Sequence, residues 1–123
     1  MVTVPAFLLK RLYVKSSLKP TADGFEFRVF NKLGSGYATE MLPVTLDGTS
    51  FPLEQSYYRP DDGEEVRFSE VGADRTLALE VGKGLTIGVH DVPPPVAGPH
   101  KVGLGFVVQG ISPLSFEVSD IIE

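Results

Sequence analysis

Apolar and polar residues alternate with a period of two along most of this chain, and no stretch sustains the i, i+3, i+4 spacing of an amphipathic helix. The alternation predicts a first strand from about Phe7 to Leu18, with Leu8, Leu12, Val14 and Leu18 on one face, interrupted by Lys10. Asp23-Gly24 signals a turn, after which Phe25, Phe27 and Val29 alternate with Glu26 and Arg28. The stretch Asn31 to Glu40, with Gly34 and Gly36, reads as a mobile loop.

The next unit specifies its own register. Met41 to Leu46, Asp47-Gly48 and Thr49 to Leu53 fit a hairpin with a two-residue type I′ turn. That turn pairs Leu46 with Thr49, Val44 with Phe51 and Leu42 with Leu53, so the apolar residues share a face. It also sets Pro43 opposite Pro52 at a pair that exchanges no hydrogen bonds. Each proline still lacks a donor toward an outer neighbour, which predicts that one of these strands lies near an edge.

Further strands are expected at Ser56 to Arg59, Glu64 to Phe68, Thr76 to Val81, Leu85 to His90, Lys101 to Gln109 and Leu114 to Ser119. Pro60 to Gly63, Gly82 to Gly84, Pro93 to Pro99 and Gly110 to Pro113 are turns, and Ser69-Glu70-Val71 is a helical turn. About nine short strands and no long helix predict an all-β fold, an antiparallel β-sandwich of immunoglobulin-like or jelly-roll-like kind. At 123 residues the chain is expected to form a single domain over residues 1–123.

Composition narrows the function classes. A hydrophobic content of 42% excludes a disordered chain, and it is generous for so small a domain, which points to a buried oligomeric or subunit face. A net charge of −5, with 11 scattered Lys and Arg, argues against nucleic acid. The local run Lys10, Arg11, Lys15 and Lys19 reads as the solvated side of an edge or surface strand. Cysteine is absent, so disulfides and thiolate chemistry are excluded. Met1 to Leu9 is too short to span a membrane and lacks the basic start of a signal peptide, so it reads as part of the first strand. The expected compartment is the cytoplasm. One Asn, two Gln and no Cys form a mix also seen in thermophile proteins.

No catalytic residue, metal site or cofactor is expected. His90 and His100 flank one loop, but strand parity sends them to opposite faces, where they cannot share an ion. His100 reads instead as a loop-end residue held by a backbone hydrogen bond. Asp61, Asp62, Glu64 and Glu65 lack the spacing of a calcium loop and read as a solvated hairpin tip. Gly82-Lys83-Gly84 precedes no helix and reads as a turn, not a phosphate loop. Two features favour a binding surface. Gly88, Gly103 and Gly105 carry outward parity and, beside Val107, would leave a smooth strip open to a partner. Tyr57, Tyr58 and Arg59, with Tyr37, are residue types that anchor interfaces.

The runs Gly24 to Phe27, Pro43 to Gly48, Phe68 to Val71, Leu85 to Ile87 and Gly98 to Val102 resemble the small β subunits of bacterial C-glycoside deglycosidases. The resemblance spans about Gly24 to Asp120. It implies a β-sandwich subunit assembled with a larger, metal-dependent barrel subunit that holds the metal and the catalytic base, so no catalytic residue carries over. The segment Gly34-Ser35-Gly36-Tyr37-Ala38 departs from the aromatic-Arg-Gly pattern of that family.

The function expected is therefore a non-catalytic accessory subunit or interaction module in a homo- or hetero-oligomer, with a protein partner or a second copy of itself. The alternative is a stand-alone binder of a small or carbohydrate-like ligand using Tyr37, Tyr57 and Arg59. A metal-assisted enzyme using His90 or His100 is the remaining rival.

Overall fold

The alternation at Phe25, Phe27 and Val29 sends those side chains into the core and leaves Glu26 and Arg28 on the outer face. The computed structural model describes residues 4–111 and 113–123. Among them are eleven strands: β1 (Lys19–Thr21), β2 (Gly24–Phe30), β3 (Gly36–Met41), β4 (Thr45–Leu46), β5 (Thr49–Ser50), β6 (Ser56–Pro60), β7 (Val66–Arg67), β8 (Leu77–Leu79), β9 (Gly84–Val89), β10 (Gly98–Val108) and β11 (Leu114–Ile122).

They form two antiparallel sheets. The first runs β1-β2-β9-β6-β7, and the second runs β5-β4-β10-β3-β8, with β11 also paired to β10. One apolar core draws on both sheets, with Phe25, Phe27, Ile87 and Val89 from the first and Val102, Leu104, Phe106 and Phe116 from the second. Among the described residues, no helix is long and apolar enough to cross a membrane.

The hairpin register is as expected. Leu46 faces Thr49, Thr45 faces Ser50, and the Phe51 N–H donates to the Val44 carbonyl at 3.0 Å. Asp47 (φ 52°) and Gly48 (φ 85°) are both left-handed, as a type I′ turn requires. β5 ends the path of its sheet, the edge position that the prolines implied. The strand itself is broken: Met41 faces Phe106 but Thr45 faces Gly103, so one extra residue is accommodated around Pro43.

The N-terminal expectation is overturned. Instead of a strand over residues 7–18 there is a helical turn, α1 (Ala6–Leu9), continued by a 3-10 turn at Lys10–Leu12. Pro5 starts it, its carbonyl accepting from Leu8 and Leu9. The spacing of Leu8 and Leu12 fits both a period of two and a helical i, i+4 repeat, and Lys10 breaks only the former. Tyr13 keeps one antiparallel bridge to Val29. The expected loop at 31–40 is shorter, because β3 begins at Gly36, and the strand expected at 64–68 ends in a 3-10 turn at Phe68–Glu70. Met1 to Thr3 of the first predicted element, and Ser112 of the turn predicted at 110–113, lie outside the described residues.

Candidate functional site

Cross-strand register assembles a polar network on the outer face of the first sheet. In one row Lys19 faces Glu26, and both Glu26 and Tyr57 face Gly88. In the next row both Arg28 and Arg59 face Thr86. Gly88 has no side chain, so the Tyr57 ring lies across it; a Cβ there would come within 2.3 Å of that ring. The ring stacks on His90 with centroids 4.4 Å apart and 18° between planes, and its hydroxyl meets Glu26 at 3.2 Å. Burial, followed by the Glu26 charge, pushes the Tyr57 hydroxyl up to about 12. The Arg59 guanidinium stands 6.0 Å from the same ring and 3.8 Å from Glu26.

Arg28 makes a two-pronged pair with Asp61, 2.8 Å on each side, and donates to Thr86 at 3.1 Å. The Arg28 guanidinium holds the Asp61 carboxyl below its ordinary range. His90 meets Asp23 and Glu65, each at 3.0 Å. Burial pushes the imidazole down, but the two carboxylates outweigh it and raise its pKa, which favours the ring that donates from both nitrogens. Two acids of the 61–65 turn thus have cationic partners, beyond the solvated tip expected of it.

Of the residues proposed from sequence, Tyr57, Arg59 and Gly88 come together here. Tyr58 has the opposite parity and is buried in the core. Tyr37, 58% exposed, lies on β3 of the second sheet. Neither the cavity between the sheets nor the basin beside Arg59 is lined by Tyr37 or Tyr57. The continuous glycine strip does not form, because β9 and β10, consecutive in the chain, belong to different sheets. Gly88 lies under Tyr57, while Gly103 and Gly105 lie under Thr45 and Leu42, so each glycine accommodates a neighbouring side chain. Val107 is half-buried and faces Glu40, just before a register shift.

The two histidines likewise serve different sheets. His100 meets Asp47 at 2.6 Å and the Val96 carbonyl at 2.7 Å, a backbone partner as expected plus a carboxylate that was not. Its pKa is raised, first by Asp47. Among the described residues, no three His, Asp or Glu side chains gather as a metal site.

A second feature was not legible in the sequence. Where the 31–35 and 80–83 loops meet, the sheets part around an apolar cavity of about 240 Å3. Leu85 and Ile87 form one wall, Leu104, Phe106 and Val108 the other, with Leu9 and Leu12 of the N-terminal turns beside them. Leu33, 40% exposed, stands at the mouth with Ser35, Glu80 and Lys83. Val81, 56% exposed, adjoins it through a hydrogen bond to the Ser35 hydroxyl.

Comparison with known families gives one result that bears on the whole chain. The family model described as hydroxymethylglutaryl-CoA reductase, N-terminal domain, matches residues 8–123. No curated protein matches the chain. The family match overturns the resemblance to deglycosidase small subunits. The runs that suggested it include the Asp47-Gly48 turn and the β2 and β9 strands, which sandwich geometry demands of many unrelated chains.

Proposed function

This chain belongs to the hydroxymethylglutaryl-CoA reductase N-terminal domain family, and from that premise we propose that it serves such a reductase as a non-catalytic β-sandwich interaction module in a homo- or hetero-oligomer. The observation that carries the reading is the apolar cavity between the sheets, with Leu33 exposed at its mouth and Val81 exposed beside it. Apolar surface of this kind is unfavourable in water, and covering it with a second copy or another polypeptide removes the cost. The high hydrophobic content of the chain, 42%, accords with a face that assembly buries. The reading keeps the chain in the cytoplasm, where a domain without cysteine loses no cross-link to reduction.

The test is light scattering and affinity capture of the full chain, alone and with a catalytic hydroxymethylglutaryl-CoA reductase polypeptide. The wild type is expected to self-associate or to retain that polypeptide. Leu33→Asp with Val81→Asp is expected to abolish the association while leaving the circular dichroism spectrum unchanged. A wild-type chain that stays monomeric at every concentration and retains no partner overturns the proposal.

A further inference from the structure

Lys19, Arg28 and Arg59 border one basin on the outer face of the first sheet, with Thr86, Ser16 and Ser17 also lining it. Glu26 is the single carboxylate among its lining residues, a local reversal of charge on a chain of net charge −5. The cations are not equally engaged. Arg28 is committed to Asp61, and Lys19 sits 3.2 Å from Glu26. Arg59 is 3.8 Å from Glu26, too far for a hydrogen bond, and makes none with protein among the described residues. Its five N–H donors are therefore available.

The floor carries a second sign. Thr86 is 5% exposed, and its Oγ1 accepts from Arg28 at 3.1 Å. Its own proton has no protein acceptor among the described residues, so the hydroxyl is free to donate into the basin. Ser16, whose backbone holds a φ of 67° unusual for a non-glycine residue, brings another hydroxyl to the rim.

The groups left without a close partner are thus donors, the Arg59 guanidinium and the Thr86 hydroxyl, with the Lys19 ammonium beside them on Glu26. Their ligand must be an acceptor with negative charge. Donors on the floor and on two sides suit oxygens arranged tetrahedrally better than the two coplanar oxygens of a carboxylate. We propose that this basin binds a phosphate-type oxyanion, held by Arg59 and Lys19 at its sides and by the Thr86 hydroxyl beneath. Glu26 orients both cations in the empty basin, and Arg59 exchanges that loose contact for the ligand. The phosphate group is either part of a soluble molecule or a lipid headgroup. The basin lies on an outer face, apart from the cavity between the sheets, and does not depend on what covers that cavity.

Amide and arginine side-chain NMR spectra of the full chain, titrated with inorganic phosphate against chloride of equal ionic strength, test the proposal. Saturable shifts are expected at Ser16, Lys19, Thr86 and Arg59 with phosphate only. Arg59→Gln, at a half-exposed position, is expected to weaken binding at least about tenfold with an unchanged fold. Phenyl phosphate and vesicles containing phosphatidic acid separate the two sources, since binding to one and not the other assigns the phosphate to that source. Shifts that chloride reproduces, or phosphate binding that survives Arg59→Gln, overturn the proposal.

Discussion

Replacing Asp120 by Ala removes a buried carboxylate that ties the N-terminal segment to β11. Its oxygens accept from the Tyr13 hydroxyl at 2.5 Å, from the Ser16 and Leu18 N–H groups at 3.1 Å each, and from the Ile121 N–H at 2.9 Å. Asp120 is 6% exposed, so three donors from residues 13–18 lose their only acceptor together. A hydrogen bond to a charged group contributes about 1.5–3 kcal/mol, but neighbouring bonds are not additive and water will reach part of the vacated space. The expected loss is about 3–5 kcal/mol, against about 1.5–3 kcal/mol for Tyr13→Phe, which leaves the backbone donors satisfied. For a domain of this size the larger figure lowers the melting temperature by roughly 12–20 °C.

Urea denaturation followed by circular dichroism measures the difference, with an unchanged m-value as the sign that only stability moved. The acid limb gives a second readout. Burial pushes the Asp120 carboxyl up, but the Tyr13 hydroxyl and the backbone N–H groups outweigh it, and the pKa is lowered. Its stabilisation is therefore complete above the unfolded carboxylate value of about 3.9 and fades as pH falls through the lower folded value. The gap between wild type and Asp120→Ala should close over that range. A neutral-pH loss under about 1 kcal/mol, or a gap indifferent to acid, refutes the reasoning.

His90 and His100 act in the opposite sense, since carboxylates raise both pKa values; their contribution is complete below the unfolded value of about 6.5 and is lost as pH rises through the folded one. Urea titrations across the neutral range should show stability falling with rising pH, and His90→Gln should remove only its own share of that slope; an unaltered slope counts against the ion pairs with Asp23 and Glu65. Gly88→Ala drives a methyl group into the Tyr57 ring and should cost about 1–3 kcal/mol, yet close to nothing when Tyr57 is already Ala. Equal costs in both backgrounds, read from the same denaturation curves, would mean that the ring is not what Gly88 accommodates.

What the sequence made legible was local. The Asp47-Gly48 turn sets a register that propagates to Val44 and Phe51, because positive φ at both turn residues admits few alternatives. The N-terminal segment was misread because leucines four apart satisfy two periods at once. Asp120 was overlooked, although it shares the parity of Leu114, Phe116 and Ile122, and a carboxylate on a buried face must find partners. The cavity left no trace in the pattern, since its walls are ordinary core positions that happen not to meet.

Strand β9 shows why the outer face in particular escaped a reading by parity. All six of its residues are buried, yet it lies in the middle of a sheet with only one face on the core. Leu85 and Ile87 point inward to the cavity, so the core accounts for them. Thr86 and Gly88 point outward and are buried only because Arg28 and Tyr57 reach over them from the flanking strands. Alternation correctly assigned each glycine a face, but a face is not an exposure; that depends on which side chains two other strands bring alongside. Lys19, Glu26, Gly88 and Tyr57 form one row, and Arg28, Thr86 and Arg59 the next, each drawn from three or more segments of the chain. The chemistry of this face is therefore a property of register between strands far apart in sequence, as from Arg28 to Thr86 at a separation of 58, and no period within a single strand encodes it.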